Sequence, residues 1–255
     1  MPLPPGFRLF KPFRVFSFDV TNTLVKMREH PGNVYHRTFK KHGINISEET
    51  AQGQFACALT KIRRYYPCFG YHAGITPLQW WEEIIRLYLF SETRDAALIS
   101  EITKELYDYY STAEAWQLLE SGERDIKLAI ISNSDSRIRN ILEEFNILPL
   151  FDIVMLSAEL GVEKCTSNTQ MYEKLLERLR ESDPTYGTKD VLHIGDCQQH
   201  DFDSAKRFGI QCMLLKGVLN SKTRIIGHWR THGIDSVSEF VNDYLSAIQD
   251  RKGNN

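Results

Sequence analysis

A chain of 255 residues, 42% hydrophobic and 25% charged, is long enough for one large domain or a domain plus an insertion, and is ordinary for a globular protein. A net charge of −2 gives no electrostatic reason to expect nucleic acid or an anionic membrane as partner, and no apolar run approaches the ~20 residues of a membrane span. Residues 1–6 lack the parts of a secretory signal and the five cysteines form no CxxC pair, so reduced thiols and a cytoplasmic or nuclear location are expected.

Residues 14–18 are a short apolar run, predicted as a buried strand, that releases Asp19 into the polar turn 20–24. Residues 27–116 then read as nearly all helix. The segments 33–41 and 48–58 have helical spacing, the second opened by Ser47 ahead of Glu48 and Glu49. Thr76 and Pro77 open a third helix that carries Trp80 and Trp81, and 98–110 is a fourth. From residue 127 onward strands and helices alternate. Strands are predicted at 127–132, 153–156, 191–195, 212–215 and 225–226; helices at 137–145, 171–181, 202–208 and 237–249. That rhythm means an α/β core with a parallel sheet covered on both faces. The expected organisation is a discontinuous core (12–26 and 117–249), a helical insertion (27–116) over the strand ends, and short termini (1–11 and 250–255).

The chemistry-bearing residues stand at the ends of these strands. Asp19 is either a nucleophile or metal ligand, or an Asx-turn or capping aspartate; a hydroxyl at Thr23 could orient it. Ser132 and Asn133 either hold a phosphoryl oxygen or make a turn before a helix. Lys164 is either a solvated surface charge or, beside converging carboxylates, the group that offsets their repulsion. Gly195-Asp196 with Asp201 five residues on is the most specific local signal. Asp196 can touch a cation such as Mg²⁺, and Asp201 suits both a helix cap and a place behind a metal ligand.

In order, Asp19, Ser132, Lys164 and Asp196 with Asp201 resemble the four motifs of the haloacid dehalogenase (HAD) superfamily, over about residues 14–249. The resemblance implies a Rossmann-like core with a C1-type helical cap. It also implies catalysis by Asp19 through an aspartyl-phosphate, with Ser132, Asn133 and Lys164 binding the phosphoryl group. Mg²⁺ would be held by Asp19, the backbone carbonyl of Thr21 and Asp196, with Asp201 close behind. The implied partner is a small phosphorylated metabolite, selected by the cap, where His30, Tyr35, Arg37, Tyr71, His72 and Trp80 could line the entrance; Trp80 and Trp81, as helix neighbours, cannot both face one surface.

The pattern is broken in four places. Thr21 stands where the superfamily's phosphatases carry the aspartate that moves protons, a contribution of typically ~10²–10⁴-fold. Lys164 is followed by a long path, 165–170, before its helix, and Ser204 replaces a usual glycine. The segment 119–126 is too short for the helix expected ahead of the next strand, which predicts an exposed sheet face and a strained crossover. Three functions follow: a weak Mg²⁺-dependent phosphatase, a catalytically silent HAD fold that acts as a binding protein for a metabolite or another protein, or a haloacid dehalogenase, in which Asp196 would have no metal to hold.

Overall fold

The computed structural model describes residues 13–118 and 126–215. The expected strand at 225–226, the helix at 237–249, both termini and nearly all of the shortened segment 119–126 lie outside the described residues.

Strand β1 (Val15–Phe18) leads into β2 (Val25–Met27), which pairs antiparallel with β3 (Trp116–Leu118); the strands β4 (Lys127–Ser132), β5 (Ile153–Leu156), β6 (Val191–Gly195) and β7 (Gln211–Leu214) follow. Apart from the β2–β3 ribbon, the strands form one parallel sheet in the order β5-β4-β1-β6-β7. β1 lies at the centre, with Phe16 level with Leu128 on one side and Leu192 on the other. Its four residues are all buried, as a strand covered on both faces requires.

One face carries Phe16, Phe18, Leu128, Ile130, Leu192 and Ile194, in one apolar cluster with α5 (Arg137–Glu144) and the insertion's helices. The other carries Val15, Ala129, Ile131 and Val191 against Tyr172, Leu175 and Leu179 of the long helix 170–182. Burying each large apolar side chain contributes about 1.5–3 kcal/mol. The shortened crossover was expected to expose one sheet face, yet Phe16, Phe18 and Ile130 on the first face and Val15, Ala129 and Ile131 on the other are fully buried. The insertion and α5 pack against the first face.

Four helices lie between β2 and β3: α1 (Pro31–Lys41), α2 (Glu48–Tyr65), α3 (Pro77–Tyr88) and α4 (Ala96–Tyr109). Their starts obey local chemistry. Ser47 Oγ accepts from Thr50 N–H, Asp95 accepts from Ala97 and Leu98, and Thr76 with Gln79 closes a reciprocal capping box. α2 extends to Tyr65 rather than stopping at 58, because Leu59 and Ile62 continue the helical spacing of Phe55 and Ala58. In the core, α5 is followed by α6 (Ser157–Leu160), α7 (Gln170–Ser182) and α8 (Ser204–Phe208). α8 starts later than expected, since Gln198–Asp203 winds into a wider π-type turn. The long path after Lys164 folds back on itself through a bridge between Cys165 and Asn168.

From β1 the chain builds outward through β4 and β5, then returns to the other side of β1 for β6 and β7. The strand order thus reverses at β1. Open α/β sheets bind ligands in the crevice at the carboxyl ends of the strands at such a point.

Candidate active site

Adjacent strands place the chemistry at this reversal. β1 delivers Asp19, β4 ends at Ser132 with Asn133 beyond it, and β6 delivers Asp196. These residues, with Thr21, Lys164 and Asp201, line one cavity of about 460 Å³.

Lys164 is the hub. Its side chain is 1% exposed, and Nζ donates to Asp19 Oδ1 at 2.6 Å and to Asp201 Oδ1 at 2.5 Å. A buried ammonium survives only with such partners. Burial works to lower the Lys164 pKa, but Asp19 and Asp201 outweigh it and push it up to about 12. The surface reading of Lys164 is therefore excluded. Asn133 fixes the lysine's main chain: its Oδ1 accepts from Lys164 N–H at 2.7 Å, and its Nδ2 donates to Lys164 O at 2.9 Å. The Asn133 side chain is thereby engaged in positioning Lys164. Ser132 Oγ shares a hydrogen bond with Ser134 Oγ at 2.8 Å.

Asp19 has no other side-chain hydrogen bond among the described residues, so one carboxylate oxygen is uncommitted. Burial raises its carboxyl to about 6, Lys164 opposes the rise, and Asp201 adds to it. Thr23, expected to orient Asp19, does not. Its hydroxyl is buried with no partner among the described residues, and Lys164 does the orienting instead.

Asp201 is fully engaged. Besides Lys164, its Oδ1 accepts from His193 Nε2 at 3.1 Å, and its Oδ2 accepts from the Cys197 N–H at 2.9 Å. Burial acts to raise its carboxyl, but Lys164 and His193 prevail and hold it well below the usual range. Asp201 therefore closes the 197–201 turn from within and does not cap α8, which begins at Ser204. This turn needs Gly195, where a Cβ would lie 2.2 Å from Asp201 Cγ. Asp196 is raised by burial and by Asp201, while Asn22 Nδ2 donates to its Oδ2 at 3.3 Å.

Asp19, Asp196 and Asp201 offer oxygens within 4.8 Å of one another. Three carboxylates against the Lys164 ammonium leave two negative charges, the complement of a divalent cation. With Asp201 spoken for, Asp19 and Asp196 are the side chains with oxygens to give, and the hard oxygen donor set suits Mg²⁺.

Sequence reasoning missed a supporting layer. His193 is fully buried in β6, paired across the sheet with Ser17, whose Oγ lies 2.9 Å from Nδ1. Burial lowers the His193 pKa, so the ring is neutral: Nε2–H donates to Asp201 and Nδ1 accepts from Ser17. Two polar residues at level positions in apolar strands were the available signal.

Hydrogen bonds join the insertion to the core at several points, Ala113 N–H to Glu144 Oε2 among them. Trp81 Nε1 donates to Asp135 Oδ2 at 3.0 Å, His72 Nε2 bonds Gly161 O at 2.7 Å, and Cys68 N–H donates to Glu163 at 2.9 Å. Of the six entrance residues expected, Tyr35 alone lines the cavity. His30 caps α1, Arg37 pairs with Glu29, Tyr71 and His72 pack on Gly161, and Trp80 is buried with its N–H on Tyr66 O. Trp81, the helix neighbour, faces the cavity instead.

Residues 13–209 match the family profile described as haloacid dehalogenase-like hydrolase. A relative from Bos taurus, haloacid dehalogenase-like hydrolase domain-containing protein 3, is 31% identical over 214 residues, covering 80% of this chain and 82% of its own. Among solved structures, the HAD-hydrolase YfnB from Bacillus subtilis bound to magnesium superposes with a TM-score of 0.66 at 18% identity, covering 92% of this chain and all of the other (100%). The 2-haloacid dehalogenase from Pseudomonas syringae gives 0.63 at 12% identity, covering 92% and 99%. With this fold, motif order and sequence match, the chain belongs to the haloacid dehalogenase-like hydrolase family.

Proposed function

We propose that the protein is a slow Mg²⁺-dependent phosphohydrolase of small phosphorylated metabolites, with Asp19 as nucleophile. The observation that carries this reading is the Lys164 ammonium set between Asp19 and Asp201, beside Ser132 and Asp196, at the reversal of strand order. Mg²⁺ would be held by Asp19, Asp196 and the main-chain carbonyl of Thr21, with Asp201 behind them, and when bound would offset repulsion between the carboxylates and the phosphoryl oxygens.

A carboxylate oxygen of Asp19 attacks phosphorus. An aspartyl-phosphate forms as the ester P–O bond breaks, and the electron pair leaves with the ester oxygen. Lys164 and the Ser132 hydroxyl hold the phosphoryl oxygens. With Thr21 in the acid's place, the leaving oxygen takes its proton from water. Water then attacks phosphorus, the P–O bond to Asp19 breaks, and phosphate and the carboxylate are regenerated. The helical insertion acts as the cap that selects the substrate.

Phosphate release from 4-nitrophenyl phosphate in Mg²⁺, abolished by Asp19→Asn, is the expected result. No release by the wild type, or release that survives in Asp19→Asn, would overturn the proposal. Thr21 also favours a second reading, a catalytically silent fold that binds a phosphorylated ligand, which predicts calorimetric binding without turnover.

A further inference from the structure

The walls of the cavity argue for a kind of substrate. Beyond the polar floor at Asp19, apolar side chains dominate: Phe55, Leu59, Trp81, Met27 and Trp116. Hydroxyl-rich ligands such as sugars would leave most of their polar groups unpaired against such walls, whereas a flat apolar body would displace poorly held water. Phe55, Leu59 and Arg63 recur at i, i+4 and i+8 along α2, so one helical face presents two apolar residues and then a guanidinium.

The cations of the wall are not equivalent. Lys164 is shared between Asp19 and Asp201. Arg137 is bound by Asp135 through two hydrogen bonds and stacks near Trp81 and Tyr107. Arg63 has no ion-pair partner among the described residues. Of the two remaining wall carboxylates near the insertion, Asp135 is taken by Arg137, and Glu163 accepts from the Cys68 N–H. The wall also holds Tyr110, whose buried hydroxyl has no hydrogen-bond partner among the described residues and can donate to an acceptor atom of a ligand.

We infer that the cavity takes a phosphate monoester whose leaving group is a flat, aromatic body carrying a second anionic group, with Arg63 as the residue that reads that second charge. This rests on the phosphohydrolase reading for the identity of the first anionic group, but the selection itself is a matter of binding. A phosphate group at the Asp19 end and a carboxylate toward Arg63 would place the ring between Trp81 and the Phe55–Leu59 face of α2.

The test is calorimetry on full-length Asp19→Asn in Mg²⁺, which prevents turnover, with phenyl phosphate, 4-carboxyphenyl phosphate and glucose 6-phosphate as probes. The carboxylated aryl ester should bind at least about tenfold more tightly than phenyl phosphate, and glucose 6-phosphate should bind weakest. Adding Arg63→Gln should erase the advantage of the carboxylated probe over phenyl phosphate, and Arg63→Lys should restore part of it. Equal affinity for the two aryl esters, an advantage that persists in Arg63→Gln, tightest binding of glucose 6-phosphate, or no binding of any probe would each overturn the inference. The phosphohydrolase reading fails separately: the predicted order of binding with no phosphate release by the wild type would refute hydrolysis and leave the selection standing.

Discussion

Asp135 is 3% exposed, and its charge is kept by Arg137 and by the N–H of Trp81 from the insertion. Burial works to raise this carboxyl, but Arg137 and the hydrogen bonds outweigh it and hold it below its ordinary value of 3.8. A depressed folded pKa contributes stability that is present above the unfolded value and lost as pH falls through the folded one. Asp135→Asn should therefore cost about 3–5 kcal/mol at neutral pH, because it leaves Arg137 unpaired in a largely buried site. In urea titrations the gap between wild type and variant should hold at pH 7 and 5 and narrow below about pH 4; a gap independent of pH would refute this account of the contact. Asp135 stood unremarked in the sequence, since an aspartate just after a strand reads as a turn residue. Asp19 and Asp196 were legible because each follows a mostly apolar run, interrupted only by Ser17 in one and His193 in the other. Ser17 and His193 were not, because their partnership exists only once β1 and β6 are in register.

The elements with local start signals were the readable ones. Thr76 and Pro77 announce α3, and the structure adds a capping box between Thr76 and Gln79. Thr76→Ala should lower stability by about 1 kcal/mol in chemical denaturation, with an unchanged denaturant slope; no loss would mean that tertiary packing alone holds the start of α3. Elements shaped by tertiary contact were harder to read. The π-type turn Gln198–Asp203 exists because the Asp201 carboxylate reaches back to the Cys197 N–H while holding Lys164, a long-range constraint. The turn at Cys68–Ala73 carries Cys68 and Phe69 at positive φ, a conformation no sequence pattern there suggested, and it docks on Gly161, itself at φ +66. The six expected entrance residues were mostly absorbed into caps, ion pairs and packing because the sequence does not say which side of each insertion helix meets the core.

At the scale of the molecule, the topology brings together groups far apart in the chain. The reversal of strand order at β1 sets Asp19 beside Asp196, and Lys164 crosses from the loop after α6 to join them. The doubly wound core was readable from the alternation of apolar runs and helices, whereas the mutual arrangement of insertion and core depends on contacts such as Trp81 with Asp135. The excess negative charge at the strand ends predicts that Mg²⁺ at a hundred times its Kd stabilises the protein by about 2.7 kcal/mol. Chelation should reverse the rise in Tm and Asp196→Asn should abolish it; a Tm indifferent to Mg²⁺ would speak against the site. The central claim is that Thr21 withholds proton transfer from an otherwise complete phosphohydrolase. Phosphate release from 4-nitrophenyl phosphate in Mg²⁺ by Thr21→Asp, beside wild type and the Asp19→Asn/Thr21→Asp double variant, tests it most directly. The account predicts a gain of about 10²–10⁴-fold in Thr21→Asp that vanishes in the double variant, and a rate no higher than wild type in a folded Thr21→Asp protein would contradict it.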